Sequence, residues 1–310
     1  MPPILKLLRP HQWAKNVFCL AGVVFGTRLT DPHAHLKALA VFAFFCAASS
    51  AIYVYNDYRD RERDKLHPKK RERPIASGKV SLGLASVVGL LLAVLAVGGA
   101  AFVDWWILSH SPTDAGITGT AVLPPWPTTL CVLSYLFLNF CYTVELKHRP
   151  LIDVNCVAFG FVLRLLAGIW VLGDTPTVWI ALCTFTLALL LAIAKRRSEL
   201  ATFDPAHEDQ RPVLLAYTLP FLDSLINSAA TLTVVAYALF TTLSGKNPTL
   251  FATVPIVYYA VMRYKLLTIV RGQAEEPEKI VLKDKGIQAS VILWVLFYLA
   301  ITHGDVRLFR

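Results

Sequence analysis

The stretch LKALAVFAFFCAASSAIYVYNDYRDRERD, residues 36–64, joins an apolar run to a dense cluster of charges. Its apolar part, residues 36–56, is long enough to cross the hydrocarbon core of a bilayer as one helix. Four acidic side chains then fall within residues 57–64, and a basic run follows them. The pattern predicts a membrane helix that ends in a charged site at the bilayer surface.

Comparable apolar windows recur along the whole chain of 310 residues. Its residues are 55% hydrophobic and 16% charged, and the mean hydropathy is +0.54, whereas soluble domains carry about 25% charged residues. The first window is short enough to be a signal peptide, but no small-residue cleavage pattern follows it and Arg28 lies at its end, which favours a retained span. We therefore expect an all-α membrane protein, a bundle of nine transmembrane helices, with residues 1–310 as a single polytopic domain. The predicted spans are residues 16–29, 36–56, 80–103, 122–143, 151–172, 177–195, 219–243, 249–268 and 287–303.

The positive charges alternate along the chain. Of the 30 Lys and Arg residues, 24 lie in the N-terminus and in residues 57–79, 144–150, 195–212 and 263–285. Because positive loops stay on the cytoplasmic side, the alternation predicts a cytoplasmic N-terminus and an external C-terminus. The net charge of +9 therefore indicates contact with a lipid bilayer and not with nucleic acid. We expect a multi-pass protein of the cell (inner or plasma) membrane whose charged site faces the cytoplasm.

The acidic cluster has the spacing of a metal site. Asn56, Asp60 and Asp64 are spaced i, i+4 and i+8, which places them on one face if the helix continues, and Asp57 flanks that face. Oxygen ligands of this kind suit Mg²⁺ held together with waters and phosphate oxygens. A fully solvated acidic turn is the alternative. However, acids at a helix C-terminus face the negative end of the dipole, which is unfavourable without a cation.

The basic run after this cluster ends in a turn-rich loop. The run contains Lys69, Lys70, Arg71 and Arg73, and the RPIASG stretch that follows, residues 73–78, is able to bend back over the span end. Cations beside metal ligands form the combination that binds a diphosphate, because the metal bridges some oxygens and Lys or Arg neutralises the rest. Topology determinants or contacts to anionic lipid headgroups are the alternative reading of these cations.

The acidic cluster also resembles a known signature. NDYRDRERD, residues 56–64, is similar to the NDxxDxxxD motif of the UbiA superfamily of intramembrane prenyltransferases. The resemblance implies a nine-helix bundle, in agreement with the predicted spans. In ordinary members, a second Asp-rich motif lies at the end of the sixth span, and the two motifs bind a prenyl diphosphate through Mg²⁺. The resemblance therefore implies a Mg²⁺-dependent membrane transferase.

The end of the sixth predicted span departs from that pattern. LLLAIAKRRSEL, residues 189–200, places Lys195, Arg196 and Arg197 where acids are expected, and Glu199 is the only acid. A simple positive-inside anchor is the alternative reading. Together with four other stretches, this one resembles one branch of the superfamily, the decaprenyl-phosphate phosphoribosyltransferases. Those stretches are LRPHQWAKN (8–16), DKLHPKKRERPIASG (64–78), LKHRPLIDV (146–154) and PEKIVLKDKG (277–286).

The branch resemblance implies transfer of a 5-phosphoribosyl group from phosphoribosyl diphosphate to a polyprenyl (decaprenyl) phosphate. Pyrophosphate leaves, and the product leads toward decaprenylphosphoryl arabinose or related cell-envelope sugar donors. An anionic phosphate is already a nucleophile near neutral pH, so the reaction needs no strong general base. The resemblance implies catalytic roles for Asp57, Asp60, Asp64 and Lys195. The implied substrate contacts are Lys15, Asn16, Lys69, Lys70, Arg71, Arg73, Tyr142, Lys147, Arg164, Arg196, Arg197 and Glu199.

Arg164 lies in the middle of the fifth predicted span. A buried, unpaired arginine at that depth costs several kcal/mol. Asp153 would lie about 16 Å away along a straight helix, so a phosphate or a carboxylate from another span is the better partner. Tyr142, at the end of the fourth span, has the alternative reading of an interfacial belt residue.

Two other functions stay open. The first is ordinary prenyl transfer from a prenyl diphosphate to an aromatic or lipid acceptor, which acids at the sixth span end would favour and cations disfavour. The second is a secondary transporter, which would require midplane polar residues and an inverted repeat. No repeat is visible and the charges gather at one face, so we favour a transferase. A homo-oligomeric state is left open.

Overall fold

The computed structural model describes residues 2–26, 28–68, 70–110, 126–202, 212–271 and 283–304, with the single positions 124, 280 and 308. Every regular element within these ranges is helical. The α-helices are α1 (Pro3–Leu8), α2 (Ala21–Phe25), α3 (Pro32–Arg59), α4 (Arg61–Leu66), α5 (Leu82–His110), α6 (Pro127–Val144), α7 (Ile152–Trp170), α8 (Val178–Ala201), α9 (Leu219–Leu243), α10 (Val254–Ile269) and α11 (Lys285–His303). The 3₁₀ helices are Pro10–Leu20, Lys70–Glu72, Leu146–His148, Pro212–Ala216 and Pro248–Thr253.

Eight of the described helices are long and apolar enough to cross a membrane. They are α3, α5, α6, α7, α8, α9, α11 and the continuous segment Pro248–Ile269 that ends in α10, and they coincide with the second to ninth predicted windows. The first window, residues 16–29, overlaps the 3₁₀ helix Pro10–Leu20 and α2 and is not one of the eight. The all-helical membrane class is therefore confirmed, while the ninth span and the orientation of the termini stay predictions.

Polar side chains cap the first turns of α3, α8, α9 and α11. A side-chain oxygen of each residue accepts a hydrogen bond from a backbone N–H in the first turn, which would otherwise lack a helical partner. Proline at the first position of α3 adds a residue whose fixed φ angle suits a helix start. The capping residues are Asp31 for α3, Thr177 for α8, Thr218 for α9 and Asp284 for α11.

The chain forms two compact units. Unit 1 comprises Met1–Leu146 and Gly160–Pro176, and unit 2 comprises Lys147–Phe159 and Thr177–Arg310, so that α7 contributes residues to both. The unit 1 core buries side chains of α3, α5, α6 and α7, whereas the unit 2 core buries those of α8, α9 and α10. The expectation of a single domain stays a prediction.

Two glycines bring the N-terminal segment close to α7 within unit 1. A Cβ on Gly168 would lie 2.0 Å from the carbonyl oxygen of Cys19, and a Cβ on Gly22 would lie 2.4 Å from that of Gly168. Only glycine permits this approach of two backbones. Helices in lipid gain little hydrophobic energy from associating, so close contact between small residues is the usual way to pack them. The contact holds residues 19–22 against α7.

Candidate active site

The acidic motif lies where α3 ends and α4 begins. Asp60 stands between the two helices with φ −91° and ψ 5°. Its N–H donates to the Asn56 carbonyl at 2.9 Å, and the Asp64 N–H donates to the Asp60 carbonyl at 2.8 Å. The i, i+4 register predicted from the sequence therefore continues across the break between the helices. The backbone keeps Asn56, Asp60 and Asp64 at successive turns.

Asp57 and Asp64 are the buried carboxylates of this motif. They are 2% and 3% exposed, respectively. One nitrogen of Arg73, Nη1, donates to Asp57 Oδ1 at 3.1 Å and to Asp64 Oδ2 at 2.7 Å. Buried carboxylates are costly unless they are paired and hydrogen-bonded. Arg73 supplies that pairing to both.

The loop that carries Arg73 bends back as its composition predicts. The Ser77 N–H donates to the Arg73 carbonyl at 2.9 Å, the Val80 N–H donates to the Pro74 carbonyl at 3.0 Å, and Gly78 has a φ of 72°. Ile75 is buried in a small cluster whose members are Leu7, Val54, Ile75, Val80 and Ala85. This apolar contact anchors the loop over the end of α3.

A second arginine, from the N-terminal segment, reaches the same carboxylate. Nη2 of Arg9 lies 2.5 Å from Asp57 Oδ1, and its guanidinium carbon lies 5.0 Å from the centre of the Tyr53 ring. Asp57 therefore accepts hydrogen bonds from two cations. Together with Asp64, the two arginines and two carboxylates form a charge-balanced cluster, which we call the Arg9–Arg73 cluster.

Asn56 is held by a residue of α6. The hydroxyl of Thr143, 2.8 Å from the Asn139 carbonyl oxygen, also contacts Oδ1 of Asn56. Thr143 is buried, so this contact orients the Asn56 amide. A carbonyl oxygen has two lone pairs, and the contact leaves Oδ1 with acceptor capacity.

The oxygen donors fit a Mg²⁺ ion that also takes ligands from its substrate. Within the described part of the chain, no three or more His, Cys, Asp or Glu side chains are arranged as a metal cage. Mg²⁺ usually keeps several waters and is bound by one or two carboxylates together with substrate phosphates. An amide oxygen and aspartates at the end of α3 match that requirement. The ligand set Asn56, Asp60 and Asp64 stays a prediction.

Arg164 of α7 is buried among neutral groups of unit 1. It is 5% exposed, and it donates to Asn16 Oδ1 at 2.7 Å, to the Gly160 carbonyl at 2.7 Å and to the Tyr135 hydroxyl at 2.9 Å. Aromatic rings face its guanidinium carbon at 4.5–5.8 Å, where cation–π attraction is favourable, and they belong to Phe45, Tyr135 and Phe161. Its described hydrogen-bond partners are thus neutral, with no carboxylate from another span among them, and the phosphate that we gave as the other expected partner stays a prediction.

Arg196 of α8 is the centre of a buried network in unit 2. Its Nε donates to Asp153 Oδ2 at 2.6 Å, and its Nη1 donates to Glu199 Oε2 at 2.7 Å. The Tyr217 hydroxyl donates to Asp153 Oδ1 at 3.1 Å and accepts the Leu151 N–H at 2.6 Å. Burial raises the pKa of Tyr217 to about 12, so this hydroxyl keeps its proton at neutral pH. Asp153 lies too far along α7 to pair with Arg164. It is paired with Arg196 instead.

Arg197 is also paired with a carboxylate of unit 2. Its Nε contacts Asp223 Oδ1, its Nη2 donates to Asp223 Oδ2 at 3.4 Å, and its Nη1 donates to the Thr268 carbonyl at 3.3 Å. The resemblance implies phosphate contacts for Arg196 and Arg197, whereas their described partners are acids and a backbone carbonyl. Phosphate binding by Arg196 or Arg197 stays a prediction. The role of Lys195, which is half-buried, also stays a prediction.

Comparison with known proteins assigns this arrangement to a family. Residues 16–113 match the model of the UbiA prenyltransferase family. A decaprenyl-phosphate phosphoribosyltransferase of Mycolicibacterium smegmatis is 31% identical over 308 residues, which cover 94% of this chain and 90% of that protein. This chain belongs to the UbiA prenyltransferase family. A decaprenyl-phosphate phosphoribosyltransferase of Corynebacterium glutamicum is 32% identical over 301 residues, covering 94% of this UbiA-family chain and 84% of that protein.

Solved structures share the UbiA fold. A UbiA homolog from Archaeoglobus fulgidus, bound to GPP and Mg²⁺, superposes with a TM-score of 0.69 at 20% identity. The match covers 97% of this chain and 99% of that one. A digeranylgeranylglyceryl phosphate synthase structure gives a TM-score of 0.62 at 16% identity. At these identities the likeness establishes the fold alone.

The remaining predicted contacts of this UbiA-family chain lie in several elements. Lys15 donates to Gln12 Oε1 at 2.5 Å within the 3₁₀ helix Pro10–Leu20. Lys70 and the exposed Arg71 lie in the 3₁₀ helix Lys70–Glu72. Tyr142 lies in the last turn of α6, and Lys147 lies in the 3₁₀ helix Leu146–His148. Lys69 lies outside the described residues.

Sequence reasoning missed three residues that hold these sites together. Arg9 lay in the LRPHQWAKN stretch beside the predicted Lys15 and Asn16, so the resemblance contained a signal for it. Thr143 and Tyr217 carried none, because a lone hydroxyl in or beside an apolar span has no distinguishing pattern. Their roles depend on which helices the fold places next to each other.

Proposed function

We propose that this UbiA-family chain transfers the 5-phosphoribosyl group of 5-phosphoribosyl 1-diphosphate to the phosphate of a polyprenyl phosphate, with release of diphosphate. The carrying observation is the full-length similarity, 31% identity over 94% of the chain, to proteins named decaprenyl-phosphate phosphoribosyltransferase. Those relatives are named for a decaprenyl acceptor, and we propose the same class of lipid for this chain. The sequence at the end of α8 also supports this donor, because Lys195, Arg196 and Arg197 stand where the resemblance leads us to expect a second set of acids for a prenyl diphosphate.

The chemistry suits the motif at the end of α3. Asn56, Asp60 and Asp64 would hold Mg²⁺, which when bound supplies positive charge that stabilises the leaving diphosphate. Arg73, which pairs with Asp57 and Asp64, would also neutralise phosphate oxygens of the donor. The lipid phosphate attacks the anomeric carbon as an anion, so the chain needs no strong base. Its contribution is mainly positioning and charge stabilisation.

Arg164 suits a role in holding a phosphate. Its fixed charge lies in α7 with neutral hydrogen-bond partners, Asn16 and Tyr135 among them. A guanidinium has five N–H donors, and three different acceptors are described for this one. A phosphate would satisfy further donors and offset a charge that is costly within a bilayer.

Ordinary prenyl transfer is the second candidate. The observation in its favour is that solved structures with this fold are described as bound to GPP or DMAPP with Mg²⁺. A prenyl diphosphate shares the diphosphate group, and the motif at the end of α3 suits either donor. The two candidates differ in the group that is transferred to the acceptor.

We also propose a topology and a location. The alternating positive charges support a cytoplasmic N-terminus, an external C-terminus and an active site that faces the cytoplasm. This arrangement requires an odd number of crossings, with residues 16–29 as the first of nine. A bacterial plasma membrane is the matching location, because the similar mycobacterial and corynebacterial proteins act on a decaprenyl phosphate by name.

Transfer of a label decides between the two donors. The purified protein in lipid nanodiscs would receive Mg²⁺, decaprenyl phosphate and phosphoribosyl diphosphate that is radiolabelled at its 5-phosphate. We expect the label to enter the organic phase only when both Mg²⁺ and the lipid phosphate are present. A parallel reaction would supply labelled geranyl diphosphate. Transfer from geranyl diphosphate, with no phosphoribosyl transfer, would establish the second candidate instead.

A further inference from the structure

Arg9 has an unusual backbone and a fixed position. It connects α1 to the 3₁₀ helix Pro10–Leu20 with φ 52° and ψ 59°, in the left-handed region that non-glycine residues seldom adopt. The Ser50 hydroxyl donates to the Leu8 carbonyl at 2.9 Å, and Trp13 Nε1 donates to the same hydroxyl at 3.0 Å. The segment is thus fastened to α3 on both sides of Arg9. Backbone strain that is held in this way often marks a functional position.

The environment of Arg9 differs from that of a structural arginine. Its carboxylate partner, Asp57, is already paired with Arg73, so Arg9 is a second cation on one acid. Asp57 is 2% exposed, but the Arg9 side chain is 22% exposed and remains open to solvent. The Tyr53 ring supports the guanidinium by a cation–π contact. Such a group is able to turn from the carboxylate to an external anion without leaving its anchored backbone.

We infer that Arg9 is an exchangeable counter-ion of the active site. Its guanidinium neutralises Asp57, and with a divalent cation bound at the motif it would turn to the oxygens of the substrate diphosphate. Arginine suits this role because its planar fork binds carboxylates and phosphates alike. The inference rests on the proposed function only in that the site accepts a diphosphate, whichever group is transferred.

The inference predicts two changes of opposite sign. Removing the Arg9 charge leaves Asp57 with Arg73 as its described cation, so the acidic motif becomes more negative and binding of a divalent cation alone should tighten. The same change removes a phosphate contact, so binding of diphosphate in the presence of the metal should weaken. An arginine that only stabilised the fold would weaken both. Arg9→Asn is the suitable neutral variant, because asparagine tolerates the left-handed backbone better than most residues.

The test uses Mn²⁺ as a spectroscopic substitute for Mg²⁺ and inorganic diphosphate as the anion. Free Mn²⁺ would be measured by electron paramagnetic resonance, and labelled diphosphate by equilibrium binding to the full chain in nanodiscs. For Arg9→Asn we expect Mn²⁺ affinity to rise about threefold and diphosphate affinity to fall about tenfold. Arg28→Asn is the matched control, because Arg28 pairs with Asp174 and does not contact the motif. It should change neither affinity.

A second variant keeps the test decisive if Arg9→Asn fails to fold. Arg9→Lys retains the charge but loses the fork, so Mn²⁺ affinity should stay unchanged while diphosphate affinity falls about threefold. Diphosphate binding equal to the wild type in either variant, or a joint fall of both affinities in Arg9→Asn, would overturn the inference. Because inorganic diphosphate carries neither sugar nor prenyl group, this result is independent of the label-transfer experiment.

Discussion

Arg73 Nη1 lies 2.7 Å from Asp64 Oδ2, within the turn that brings a basic loop back over the end of a membrane helix. The same nitrogen also serves Asp57, so one side chain compensates two buried acids. The loop is therefore part of the acidic site and not a separate basic patch. Its basic residues are consequently not all equivalent, because Arg73 is paired whereas Arg71 is exposed.

Arg73→Ala should destabilise the protein by about 2–4 kcal/mol, because it leaves two buried carboxylates with one remaining arginine. Thermal unfolding in detergent would measure the change. Arg71→Ala, on the exposed neighbour, is the matched control and should leave the melting temperature within error of the wild type. Adding Asp64→Asn to Arg73→Ala should restore part of the lost stability. A double variant as unstable as the sum of the two single variants would refute the shared ion pair.

Asp60→Asn should abolish Mg²⁺-dependent turnover while the protein remains folded. The substitution removes a negative charge from the predicted ligand set and preserves the size of the side chain. Turnover across a Mg²⁺ titration, with the melting temperature as the folding check, would measure the effect. Glu62→Gln is the control, because Glu62 bonds Lys65 on an exposed turn. Wild-type activity in Asp60→Asn would remove Asp60 from the metal site.

Gly168→Ala should displace the N-terminal segment from α7. The added methyl group would lie 2.0 Å from the Cys19 carbonyl oxygen, and a backbone atom cannot move aside as a flexible side chain can. We expect a loss of stability, and we expect the buried Cys19 to react faster with a maleimide. A variant with alanine at Gly98, where a Cβ meets nothing within 4 Å, supplies the comparison. Equal labelling of Cys19 in the two variants would contradict the packing.

Ionisation of Tyr217 should make the free energy of unfolding depend on pH in the alkaline range. Burial raises its pKa from 10.0 to about 12 in the folded protein, so its contribution is fully present below about pH 10 and is lost as the pH rises towards 12. Tyr217→Phe removes this ionisation and the hydrogen bond to Asp153. The stability difference between wild type and variant should therefore shrink over that range. A constant difference from pH 9 to 11.5, roughly spanning the transition, would show that Tyr217 does not contribute to it.

The local features of this protein could be predicted from its sequence. Hydropathy depends on composition within one window, and eight windows correspond to helices in the structure. The i, i+4 register of Asn56, Asp60 and Asp64 also survives, because backbone hydrogen bonds act over one turn. The predicted window 16–29 does not correspond to one long α-helix, since a 3₁₀ helix and a short α-helix occupy this region.

The pairing of charges could not be predicted in this way. Sequence alone treated Arg73, Arg196 and Arg197 as a supply of positive charge for phosphates, whereas each has a carboxylate partner in the folded chain. A residue's partner depends on which distant segments the fold brings within 3 Å. The sequence pattern does not indicate that Arg9 pairs with Asp57, because the two residues are 48 positions apart.

The resemblance of its motifs to a known family implied a transferase. The sequence by itself determined an all-helical membrane protein with an acidic motif at the end of a span and a basic loop beside it. These properties follow from interactions within a few residues, namely transfer of apolar side chains into lipid and helical hydrogen bonding. Only the tertiary structure decided which cations meet which acids, and that Arg164 lies among neutral groups. Burial makes an unpaired charge costly, so the final pairing is set by the packing of distant helices.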